Sequence, residues 1–159
     1  MIRESRILLL MILLLAMYGV FAQSFNDDKT ALSNFLKRMY SSSQFDGVKV
    51  IDDYDHKYVI SVVALDKSKY TSQSTMNRVA QVKARQQANA FFNGSSITSD
   101  LIIKTSESKK DSFQVVIETT ELIKEQTSGF VEGMELLANF DSADGTKAVF
   151  IFIRKLEGK

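Results

Sequence analysis

The chain of 159 residues has no cysteine, no proline, no tryptophan and a single histidine. Without cysteine it can form no disulfide, no thiolate metal site, no thiol nucleophile and no lipid-modified N-terminal Cys. Without proline its turns must be built from Gly, Asn, Asp and Ser. The lone His56 has no second His at ligand spacing, and no Gly-x-Ser-x-Gly elbow is present to complete a hydrolase triad around it. The seven glycines never form Gly-x-Gly-x-x-Gly or a phosphate-cradling loop, so nucleotide binding has no support.

Only one long apolar run exists, Ile7 to Tyr18, and it is too short for a spanning helix, which needs roughly 20 apolar residues. Arg3 and Arg6 precede it and Val20-Phe21-Ala22 follows, which is the order of a secretory signal peptide. Residues 1–22 are therefore expected to be a signal peptide cleaved after Ala22, with an uncleaved anchor as the alternative. The expected address is export, to a periplasm or the exterior, with no stable membrane anchor afterwards. Removing the first 22 of 159 residues leaves 137, the size of one domain, 23–159. Arg3, Arg6 and Glu4 leave with the leader, and 18 basic residues then face 18 acidic ones. That balance argues against nucleic acid as a partner, because phosphate binding needs concentrated positive charge. Arg78, Lys83 and Arg85 lie among Gln and Asn and read as an ordinary solvated face.

Past the leader, Asp28 or Asn26 can cap a short helix carrying Leu32, Phe35, Leu36 and Met39 and ending in Ser41-Ser42-Ser43. Val48, Val50 and then Tyr58 to Leu65 read as two strands around the turn 52–56. The second is apolar on both faces, the pattern of an interior strand. From about Ser72 to Asn93 the period becomes helical. Met76, Ala80, Ala84 and Ala88 form an i, i+4 line whose small side chains allow close approach to a sheet, and Gly94 is placed as the stop.

Beyond Gly94 the period reads as two. Ile97, Leu101, Ile103 and Thr105, a polar turn at 107–111, and Phe113, Val115, Ile117 and Thr119 predict a hairpin. Residues 118–128 extend the strand or turn helical, and the strand is favoured. Phe130 to Phe140 reads as another strand with Met134, Leu136, Ala138 and Phe140 on one face. Asp144-Gly145 then turns the chain into Ala148 to Ile153, since Asp-Gly between apolar runs signals a hairpin. The expected fold is two-layer α+β: an antiparallel meander sheet of about five to six strands, one long helix and a short N-terminal helix.

The order of strand, Ala-rich helix and further strands resembles the N-terminal domain of the flagellar ring protein FlgT and the small surface-lipoprotein family that shares its fold. The residues are Val79-Ala80-Gln81-Val82-Lys83-Ala84-Arg85-Gln86-Gln87-Ala88, Ser128-Gly129-Phe130-Val131-Glu132-Gly133, and Asp144-Gly145-Thr146 before Val149-Phe150-Ile151. The resemblance implies a non-enzymatic envelope module that docks on other proteins, and it transfers no catalytic residue. The acylated Cys of the lipoproteins is missing here.

His56 with Asp52, Asp53 and Asp55 could in principle hold a divalent cation or host acid-base chemistry, but the spacing of a calcium loop is absent and a polar hairpin turn explains it. Asp141, Asp144 and Gly145 resemble half a cation loop and read as a turn. Asn93-Gly94-Ser95 fits an N-glycosylation acceptor, with helix termination as the simpler role. No catalytic, metal or cofactor-binding residue is assigned. The feature with most functional promise is the last strand. Val149, Ile151 and Ile153 alternate with Phe150 and Phe152, so both faces are apolar and both need cover. The cover is either the N-terminal helix through Leu32, Phe35 and Leu36, or an interface with a protein partner or a second copy. The expected function is a non-enzymatic protein-binding or assembly module. Its alternatives are a small apolar-ligand carrier and an enzyme using His56 and the neighbouring aspartates.

Overall fold

A computed structural model describes residues 28–53, 56–94, 97–105, 111–126 and 129–157. The expected signal peptide, Tyr54 and Asp55, Ser95, most of the turn at 107–111, and Ser128 lie outside them. The chain divides after Ser42. In the first unit, residues 28–42 form helix α1, whose last hydroxyls turn back on the helix: Ser41 Oγ donates to Lys37 O and Ser42 Oγ to Arg38 O.

The second unit is α+β, a five-stranded mixed sheet with two helices. Strand β1 (Gly47–Asp53) pairs antiparallel with β2 (His56–Asp66), and helix α2 (Gln73–Gly94) follows. The short strand β3 (Ile102–Lys104), helix α3 (Ser112–Glu125), and the strands β4 (Glu135–Asp141) and β5 (Lys147–Leu156) complete it, in the order β3-β1-β2-β5-β4. β2 and β5 are thus interior strands, as their two-sided apolar pattern requires.

Helix α2 starts where Ser72 caps it, with Ser72 Oγ accepting from Thr75 N at 3.2 Å. Its buried residues are Met76, Ala80, Ala84, Ala88 and Phe91, the small-residue line expected from the sequence. These share one core with Val59, Val63 and Leu65 of β2 and Phe150 and Phe152 of β5. Ala80, Ala84 and Ala88 have no exposed surface at all, which leaves no room for a larger side chain. Ala84→Leu is therefore expected to overpack this layer and destabilise the protein by about 1 to 3 kcal/mol, read as a lower urea midpoint. An unchanged midpoint would mean that the layer can expand.

Three expectations are corrected. The sheet is not an antiparallel meander: α2 returns the chain to the outer side of β1, where β3 lies parallel, with Ile102 opposite Val50 and Lys104 opposite Asp52. Residues 112–125 are helical, so the hairpin through Phe113 and the long strand favoured over 118–125 are both wrong. The residues read as alternating also satisfy a helix, because Val115, Thr119 and Ile123 stand at i, i+4, i+8 and are buried together on one side. Thr119 can be buried there because its hydroxyl donates to Val115 O at 2.7 Å, and Thr120 does the same to Val116 O. Finally, β4 begins only at Glu135. A 3-10 turn occupies Val131–Gly133, and a register shift between Leu136 and Ala138 puts these two on opposite faces.

The Asp-Gly hairpin forms as expected. Gly145 adopts φ 69°, and Ser142 N donates to Lys147 O at 2.9 Å. β5 then runs beside β2 from Lys147↔Asp66 to Leu156↔Lys57. Phe150 and Phe152 face the α2 layer, while Val149, Ile151 and Ile153 lie on the reverse face beside Ala64, Val62 and Ile60. Both sets are buried.

Candidate functional site

Polar chemistry concentrates where β1 turns into β2. Asp52 and Lys57 are cross-strand partners, with Lys57 Nζ 2.7 Å from Asp52 Oδ1 and both side chains at most one-tenth exposed. Glu118 of α3 approaches the same ammonium at 3.6 Å, so the ion pair also ties α3 to the sheet. On the neighbouring position Thr105 Oγ1 donates to Asp53 Oδ1, and Thr105 N donates to Asp52 O at 3.2 Å, extending the β3–β1 ladder. His56 pairs with Asp53 in the strand register but is exposed, its ring edge-on to Tyr58 at 6.2 Å. The expected His56–Asp cluster is thus divided: Asp52 faces Lys57, Asp53 is engaged by Thr105, and Asp55 lies outside the described residues. No group of three His, Cys, Asp or Glu able to hold a metal ion occurs among the described residues.

The Asp144 turn is built as a closed hydrogen-bond loop. Ser142 Oγ donates to Asp144 Oδ1 at 2.5 Å, while Thr146 donates through its hydroxyl to Oδ2 and through its N–H to Oδ1. These donors, Ser142 first, push the carboxyl from the ordinary 3.8 down to about 2. A depressed carboxyl stabilises the folded turn above its unfolded value and loses that contribution as pH falls. The hairpin is therefore expected to loosen between about pH 4 and pH 2, seen as a shift of the Thr146 amide resonance that Asp144→Asn abolishes.

The segment 129–133 is clasped from two sides. Arg154 Nη1 donates to Gly129 O at 3.1 Å and to Phe130 O, its guanidinium lies 4.4 Å over the Phe130 ring, and a Cβ at Gly133 would fall on that guanidinium. Arg85 of α2 donates to Glu132 O at 3.4 Å. The flexible arginine can shift to relieve that contact, so the close approach alone does not require glycine at 133. Neither arginine has a carboxylate partner among the described residues, because both serve turn carbonyls.

Among the described residues, α3 carries two of the exposed large apolar side chains. Phe113 is 72% exposed and Ile117 43%, one turn apart, on the side opposite Val115, Thr119 and Ile123. Val82 of α2 and Leu136 of β4 are also about half exposed. Beside α3, Ser99, Ile102, Lys104 and Val115 line a half-open cavity of about 280 Å³. Reading Phe113 and Ile117 as a strand hid this ridge; their i, i+4 spacing was the available signal. No family model, no curated protein and no solved structure matches the chain. No helix among the described residues is long and apolar enough to cross a membrane.

Proposed function

We propose that the protein is an exported, non-enzymatic module that binds another protein. The observation that carries this reading is the Phe113–Ile117 ridge. α3 already buries a complete face through Val115, Thr119 and Ile123, while Phe113 and part of Ile117 leave an apolar step in water. Aromatic side chains, Phe among them, are enriched in the cores of protein interfaces. Export is supported by Arg3 and Arg6 before the apolar run and by Val20-Phe21-Ala22 after it. The resemblance to FlgT-type modules leads in the same direction. A small apolar-ligand carrier has less support, since the cavity beside α3 is half open and Ser99 and Lys104 share its lining with Ile102 and Val115.

Cross-linking in the native host tests the binding half. Wild-type protein is expected to be captured with a partner, and a Phe113→Ser, Ile117→Ser variant with an unchanged melting temperature is expected to lose it. Equal capture by both would remove the ridge from the function. Intact mass from the extracellular or periplasmic fraction tests the other half, with the chain expected to start at Gln23.

A further inference from the structure

Three pairs in the chain join Asp or Asn to Gly: Asp46-Gly47, Asn93-Gly94 and Asp144-Gly145. In such pairs the glycine nitrogen can attack the side-chain carbonyl carbon, because no Cβ on the glycine blocks the approach. Whether the ring closes depends on how the side chain is held relative to that nitrogen.

The three pairs differ in that respect. Asn93 turns back along α2, with Nδ2 donating to Asn89 O at 2.9 Å and to Asn89 Oδ1 at 3.0 Å. The Asp144 carboxylate is taken up by Ser142 and Thr146, and Gly145 N is directed elsewhere, to Ser142 O at 2.8 Å. Asp46 is arranged the other way. Its Oδ1 accepts from Gly47 N itself at 2.9 Å. Gln87 Nε2 donates to the same oxygen at 2.9 Å, and Gln87 is fixed in turn by buried Ser61, whose Oγ donates to Oε1 at 2.6 Å. The carboxyl is exposed to water yet pinned against its neighbour's nitrogen, and Gly47 holds φ 110°, a conformation that keeps a glycine there.

We propose that Asp46 is a site of spontaneous cyclisation and isomerisation to isoaspartate. With the carboxyl in its acid form, Gly47 N bonds to Asp46 Cγ, and the N–H proton passes to Oδ1. One carboxyl oxygen then leaves as water, carrying that proton and the acid proton. Water adds back to the imide at either carbonyl. Opening at Cγ restores aspartate; opening at the main-chain carbon sends the chain through Cγ and yields isoaspartate of unchanged composition. The isomer inserts a methylene into the main chain immediately before β1 and moves the carboxyl away from Gln87.

The full chain incubated at neutral pH in heavy-oxygen water tests this, with fragment mass spectrometry locating the label and the isomer. Heavy oxygen and isoaspartate are expected at position 46 in roughly tenfold excess over position 144, as positioning of the reacting groups dictates. Equal incorporation at the two positions, or none at 46, overturns the assignment. In Asp46→Asn, the amide at 46 should be lost as ammonia faster than that of Asn93. An amide at 46 as long-lived as Asn93 overturns it equally.

Discussion

Replacing Lys57 by alanine is expected to destabilise the protein by about 3 to 5 kcal/mol, the usual consequence of leaving a buried charge without its partner. Asp52 is 6% exposed, and its carboxylate has Lys57 Nζ at 2.7 Å as its charged neighbour. Removing the ammonium leaves that carboxylate in the space between the sheet and α3, and Glu118 then loses its tie to the hairpin as well. A surface pair would lose no more than about 1 kcal/mol, so the magnitude separates the two cases. Urea denaturation of Lys57→Ala measures it. Combining Asp52→Leu with Lys57→Met should recover much of the loss, because a matched apolar pair removes both the charge and its need for a partner. A loss below about 1 kcal/mol in Lys57→Ala would show that water reaches Asp52.

Phe150→Ala is expected to have an effect of the same size, about 3 to 5 kcal/mol, by a different route. Phe150 is fully buried in the middle of an interior strand, opposite Val63 on one side and Asn139 on the other, within the layer covered by α2. Truncation removes an aromatic ring from a layer where three of the five buried side chains of the facing helix are alanines. Those alanines cannot reach into the space, and the sheet cannot close it without breaking the ladders to β2 and β4. A domain typically holds only about 5 to 15 kcal/mol in total. Guanidinium melts should show a lower midpoint with an unchanged slope, and a small shift would mean that α2 settles into the gap.

Features carried by one segment's own periodicity were legible in the sequence. The Met76–Ala80–Ala84–Ala88 line, the two-sided β2 and the Asp144-Gly145 hairpin needed no knowledge of the rest of the chain. α3 was misread because Val115, Val116, Ile117, Thr119 and Thr120 favour strands, and short apolar runs fit both periods. Burial of Val115 with Thr119, and the return of the threonine hydroxyls to carbonyls one turn back, decided for helix. The Lys57–Glu118 tie, the Ser61–Gln87–Asp46 chain and the clasp of Arg154 on Phe130 join residues far apart in sequence. Pattern reading within a window has no access to them.

The sheet closes late in synthesis. Its central strand is β2, flanked by β1 and β5, and β5 is the last strand among the described residues, pairing with β2 from Lys57 to Asp66. Bringing such distant segments together carries a large loop-closure entropy, and no short hairpin reaches across that seam. Until β5 is available, β2 has one free edge and the α2 layer lacks Phe150 and Phe152. A nascent chain stalled before residue 147 should therefore stay protease-sensitive throughout. Assembly of the α2 layer over the sheet therefore waits on β5.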